Sequence, residues 1–139
     1  MFNISKFLKD GLKNTILFKN NLGISHKGPW IAAYPGTLLD RFHVGDFSSV
    51  EYTIAADFSS DKKEILKALV TACVDNASVV IYSRNSTFDE LITIDVEVNN
   101  SYVDVKISPA IAEDSSASYA GSKVIFTANY FHTQNSSTS

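Results

Sequence analysis

The stretch Leu91-Ile92-Thr93-Ile94-Asp95-Val96-Glu97-Val98 decides the class of fold. Ile92, Ile94, Val96 and Val98 alternate with Thr93, Asp95 and Glu97, so a period of two puts the aliphatic groups on one face and the polar groups on the other. That is the pattern of a half-buried antiparallel strand. The neighbouring segments obey the same rule. Tyr102-Val103-Asp104-Val105-Lys106-Ile107 sends Val103, Val105 and Ile107 inward, and the Asn99-Asn100-Ser101 link between the two stretches suits a hairpin. Upstream, Tyr52, Ile54, Ala56 and Phe58 share a face, and Val79 and Ile81 alternate with Val80 and Tyr82 in a strand apolar on both sides. Downstream, Val124, Phe126, Ala128 and Tyr130 line one side of a last strand.

Six or seven short strands joined by hairpin-like links predict an all-β fold, an antiparallel β-sandwich of immunoglobulin-like or jelly-roll-like type. Turn signals at Asp75-Asn76 and from Asn85 to Asp89 fit that plan, and the gap from Pro109 to Gly121 is expected to be a surface loop. Residues 62–70 admit two readings. Ser60 or Asp61 would cap a helix carrying Ile65, Leu66, Leu69 and Val70 at 3.6 spacing. As a strand, Leu66, Ala68, Val70 and Ala72 would alternate with Ile65, Lys67, Leu69 and Thr71. The β-branched end of the segment and its all-β surroundings favour the strand.

Residues 1–40 have another character. Phe7, Leu8, Leu12 and Ile16 recur at helical spacing behind Asn3 or Ser5 as cap, but Gly11 weakens the pattern, and a helix of about 12 to 15 residues is marginal alone in water. It needs something to pack against. Beyond Gly23, Trp30, Ile31 and Tyr34 lie on a stretch punctuated by Pro29, Pro35 and Gly36; such a segment lies down either on its own domain or on a neighbour. The expected organisation is an N-terminal attachment segment, helical or extended, over residues 1–40, a β-sandwich over 41–133 and a flexible polar tail over 134–139.

At 139 residues the chain suits one domain, and its 45% hydrophobic and 19% charged residues are those of an ordinary globular protein. The net charge of −3 is spread along the chain with no basic patch to neutralise phosphates, which argues against a nucleic-acid partner. No apolar run is long enough to span a membrane, and Lys9, Asp10 and Lys13 break the N-terminal pattern that a secretory signal needs. The single cysteine, Cys73, permits no intrachain disulfide; within an apolar run it is expected to be a small buried hydrophobe.

Nothing catalytic assembles. His26, His43 and His132 lack metal-ligand spacing, and no phosphate-binding glycine loop or nucleophile elbow occurs. Asp57 with Asp61, Asp89-Glu90 and Glu113-Asp114 lack the arrangement of a calcium loop and are expected to solvate turns. No enzyme, cofactor or metal is therefore expected. The fifteen Phe and Tyr residues are mostly core, with Tyr102 and Tyr130 either in the core or holding their hydroxyls at the sandwich rim.

The run Asp40-Arg41-Phe42-His43-Val44-Gly45-Asp46-Phe47-Ser48-Ser49-Val50-Glu51-Tyr52-Thr53-Ile54 resembles the opening of a module in virion structural proteins of T4-like marine bacteriophages, cyanophages included. Ala77 to Arg84, Val98 to Val103 and Gly121 to Phe131 resemble the rest of it, so the likeness covers about residues 40–133. The resemblance implies a non-enzymatic virion component of the tail or baseplate, neck, fibre or capsid decoration, assembled in the host cytoplasm. Its partners would be other virion proteins, including copies of itself. Residues 1–40 would then address the module, with Phe7, Leu12, Ile16, Trp30 and Tyr34 as apolar anchors. The alternative is a module binding a host surface or carbohydrate through aromatic groups around Tyr102, Tyr119 and Tyr130.

Overall fold

A computed structural model describes residues 30–110 and 122–134 in full, and the backbone of residues 15–17 and 23–27. Ten strands run in chain order: β1 (Thr15–Leu17), β2 (Gly23–Lys27), β3 (Ile31–Ala32), β4 (Thr37–His43), β5 (Phe47–Ser59), β6 (Lys62–Cys73), β7 (Asn76–Ser86), β8 (Ile92–Asn99), β9 (Tyr102–Pro109) and β10 (Lys123–His132). Among the described residues there is no helix, and no helix is long and apolar enough to cross a membrane.

The strands form two antiparallel sheets in a sandwich-like arrangement. The larger has the order β1-β2-β10-β5-β6-β7, with β3 also paired to β10; the smaller is β4-β9-β8. Segments 23–27 and 31–32 lie in succession along β10, β2 opposite Thr127 to Phe131 and β3 opposite Lys123 and Val124. The extended form of the N-terminal segment thus holds at residues 15–17, where Ile16 pairs with Ser25 and not along a helix. The helical spacing at Phe7 and Leu12, the loop at 111–121 and the tail from 135 lie outside the described residues.

The alternation in the sequence becomes the core. Tyr52, Ile54 and Ala56 of β5, Leu66, Ala68 and Val70 of β6, and Val124, Phe126, Ala128 and Tyr130 of β10 face Leu39 and Phe42 of β4 and Val103, Val105 and Ile107 of β9. Fully burying one such aliphatic or aromatic side chain stabilises by about 1.5–3 kcal/mol, so register is strongly fixed: a one-residue slip would turn each row to solvent. Residues 62–73 are a strand, with Leu66, Ala68 and Val70 inward and Ile65 and Leu69 outward. The same parity corrects the expectation for Cys73. It falls on the outward series of β6 and is exposed, its thiol 3.3 Å from an Asp75 carboxylate oxygen.

Turn chemistry closes the hairpins. Asn100 and Ser101 have φ of 53° and 66°, the pair of left-handed residues of a type I′ turn between β8 and β9. At the entry to β4, Thr37 N–H donates to Tyr34 C=O at 3.1 Å. Pro35 presets the first corner of this turn and Gly36 takes the second at φ 73°.

Two inward carboxylates, Asp40 half-buried and Glu64 buried, tie the sheets together. A bulge between Leu38 and Asp40 turns Asp40 inward, opposite Val105. There its Oδ2 accepts the Tyr52 hydroxyl at 2.7 Å and the Tyr130 hydroxyl at 2.5 Å from the opposite sheet. Burial, with the Asp40 charge second, pushes both phenols well above their ordinary value. Glu64 of β6 is the other tie. Its side chain is wholly buried, accepts Arg84 Nη1 at 2.8 Å, and takes the backbone N–H groups of Leu91 and Ile92 at 3.2 and 3.3 Å.

Candidate interaction surface

The outward face of the larger sheet departs from an ordinary polar surface. Register aligns Glu51 of β5, Leu69 of β6 and Val80 of β7 in one row, and Ala55, Ile65 and Asn85 in another. Ile65, Leu69, Val80 and Tyr82 are each 41–55% exposed, so four large apolar groups on two adjacent strands face solvent. Strands with a solvated outer face ordinarily alternate apolar and polar; on β6 and β7 large apolar groups stand on the outer face as well.

Tyr82 sits where the β6–β7 register shifts between Lys67 and Ala68, as the extra residue of a β-bulge. From β7 it reaches across β6 to donate its hydroxyl to Glu51 Oε2 at 2.7 Å. Asn129 Nδ2 donates to the other oxygen of Glu51 at 3.3 Å. These two donors hold the Glu51 carboxyl below its usual range, the tyrosine foremost. The same contact raises the Tyr82 phenol. The patch is thus a set of apolar groups interrupted by the Lys67–Ser83 pair between Ile65 and Leu69, and its carboxylate, Glu51, already has its donors.

The sequence-derived anchors fall as follows. Trp30, directly before β3, is 49% exposed, and Tyr34, in the Pro35-Gly36 turn, is 47% exposed. Ile16 lies in β1, with only its backbone described, while Phe7 and Leu12 lie outside the described residues. A cut after residue 40 falls inside β4. It would remove Ala33 and Leu39, both buried. Ile65, Leu69, Val80 and Tyr82 were not among the sequence-derived anchors; the run Val79 to Tyr82, apolar on both sides, was the signal for Val80 and Tyr82.

For the aromatic rim, Tyr102 is exposed and packs edge-on against His43, ring centroids 4.9 Å apart. Of its two readings Tyr130 takes the core: its ring is buried and its hydroxyl donates to Asp40. Tyr119 lies outside the described residues. His43 accepts the Gly45 N–H on Nδ1 at 2.9 Å, and His132 stacks obliquely on Phe47 at 5.4 Å. Among the described residues no three His, Cys, Asp or Glu side chains converge as a metal site would require.

No protein-family profile and no curated protein matches the chain. Among solved structures it is similar to the tailspike protein of Acinetobacter baumannii phage AM24, at TM-score 0.40 and 12% identity over 81% of this chain and 24% of that one. It is also similar to a tailspike protein of Acinetobacter baumannii bacteriophage Fri1, described as a capsular polysaccharide depolymerase, at TM-score 0.47 and 12% identity over 94% of this chain and 21% of that one. The chain spans about a fifth to a quarter of the length of these tailspikes.

Proposed function

We propose that the chain is a non-enzymatic structural component of a bacteriophage virion, acting through protein–protein assembly. The observation that carries this reading is the exposure of large apolar side chains in two places. One is Trp30 and Tyr34 beside the N-terminal strands; the other is Ile65, Leu69, Val80 and Tyr82 on the outer face of β6 and β7. Apolar groups grouped in this way mark surfaces that a partner covers. The resemblance of residues 40–133 to modules of phage particles supports the same reading.

Within it, Trp30 and Tyr34 are the anchors of a docking contact. Both residue types are enriched at the energetic centres of interfaces, where truncation costs about 2 kcal/mol or more, roughly 30-fold in affinity. The test is incorporation. Purified particles of the encoding phage, analysed by mass spectrometry and immunogold labelling, are expected to contain the chain, and Trp30→Ala with Tyr34→Ala is expected to deplete it from particles without lowering its level in infected cells. A chain abundant in the lysate and missing from purified particles refutes the proposal.

A further inference from the structure

We infer that β7 is a self-association edge, which pairs antiparallel with β7 of a second copy of this chain across a two-fold axis through Val79. The inference rests on the assembly reading above and gives it one partner.

The first ground is an open edge. Among the described residues β7 ends the larger sheet and no strand lies beyond its eleven residues, which leaves a ladder of about 36 Å ready to pair. Edges that stay solitary are blunted by proline, by lysine or by shortness. Asn76–Ser86 has no proline and no lysine, and its single charge, Arg84, is already engaged with Glu64.

The second ground is unfinished burial. Inward residues of the interior strands β5, β6, β9 and β10 are almost all fully buried. Those of β7 (Ala77, Val79, Ile81) and of β8 (Ile94, Val96, Val98) are only partly covered. β8 in turn ends the smaller sheet, and Glu64 fixes the start of β8 against β6 next to β7. Among the described residues this flank of the sandwich therefore shows an aliphatic seam between two sheet edges, continuous around β7 with Val80, Tyr82 and Leu69 on the outer face.

The third ground is self-complementarity. A two-fold axis perpendicular to the sheet must pass through a residue, because only then do paired side chains share a face. Through Val79, the inward pairs are Val79 with Val79 and Ala77 with Ile81 of the second copy. The outward pairs are Ser78 with Val80, and Asn76 with Tyr82. The paired stretch 76–82 has no charge, so no like charges meet, and it stops at the Tyr82 bulge where the register with β6 shifts. The seven paired residues span about 23 Å, and with roughly 20 Å across both sheets they cover on the order of 460 Å² per copy, the size of a weak, reversible interface.

The test uses the full chain in sedimentation equilibrium from about 5 to 200 μM, a range that brackets the affinity of modest interfaces. Wild type is expected to reach twice the 15.2 kDa chain mass. Ser78→Lys with Val80→Lys, both at exposed positions, sets lysine opposite lysine and is expected to weaken association about 100-fold at unchanged circular dichroism. Ser78→Glu with Val80→Glu does the same, and an equimolar mixture of the two variants restores the dimer. A wild type that is monomeric throughout, or a dimer indifferent to these charges, overturns the inference. Particle incorporation, measured separately, still decides the assembly reading.

Discussion

Glu64→Ala is the perturbation whose size the structure constrains best. The carboxylate is wholly buried and serves two unlike partners: the Arg84 guanidinium, 19% exposed, and the backbone N–H groups of Leu91 and Ile92 where the chain enters β8. Removing one partner of a buried ion pair costs about 3–5 kcal/mol. Arg84 retains some contact with water and with Ile92 C=O at 3.0 Å, which places it near the lower end. The two N–H groups are held at 3.2 and 3.3 Å, long bonds, so stranding them adds about 1 kcal/mol each. The expected loss is about 5 kcal/mol, a third or more of the stability of an ordinary domain. Urea denaturation at equilibrium measures it. Glu64→Gln keeps an acceptor for one N–H and is expected to lose about half as much. Glu64→Met with Arg84→Met removes the charge pair together and recovers the ionic share, while the cost of the stranded N–H groups persists. A Glu64→Ala loss under about 1 kcal/mol, or full recovery in the double variant, would refute the role given to Glu64 as the tie between β6 and β8.

Three further outcomes are expected. Ser101→Gly relieves a left-handed residue at φ 66° and is expected to raise stability by about 0.5–1 kcal/mol, read from the urea midpoint; destabilisation contradicts the type I′ assignment. Tyr52 and Tyr130 are held neutral in the folded chain well above their ordinary value near 10, whereas the unfolded chain loses these protons near pH 10. Their contribution is therefore complete below about pH 10 and declines as pH rises beyond it; a Tyr52→Phe, Tyr130→Phe variant is expected to show a flatter alkaline limb in stability, and an unchanged slope counts against the buried pair. Cys73 is exposed, so a thiol reagent is expected to label the native protein within about tenfold of the rate for the urea-unfolded chain, and protection of a thousandfold would restore the buried reading.

The all-β class, the inward rows of β5, β8, β9 and β10 and the Asn100-Ser101 hairpin were legible because each depends on neighbours in sequence: a period of two, or the dihedral needs of a two-residue turn. Residues 62–73 were harder. The apolar positions of β6 fit both periods, and what decided for a strand is its place between β5 and β7, where each hydrogen bond has a partner. Phe7, Leu12 and Ile16 fit a helical period, yet at Ile16 the pairing with Ser25 prevails, since a short helix is marginal without packing and a strand can complete its ladder against β2.

By itself the sequence determined which side chains share a face, where the chain turns, and that 139 residues with this alternation form stacked antiparallel sheets. Tertiary structure alone decided which strands lie at the edges, and with that which apolar faces remain uncovered. Edge position is a property of pairing order, β7 last in one sheet and β8 last in the other, and a strand's own residues do not record whether a neighbour lies beyond it. The two inward carboxylates belong to the same class. Asp40 and Glu64 resemble surface acids in the sequence; a bulge turns Asp40 inward to two tyrosines, and the start of β8 brings two N–H groups to Glu64. Those partners lie 12, 90, 27 and 28 residues away along the chain, and only the folded arrangement brings them within bonding distance.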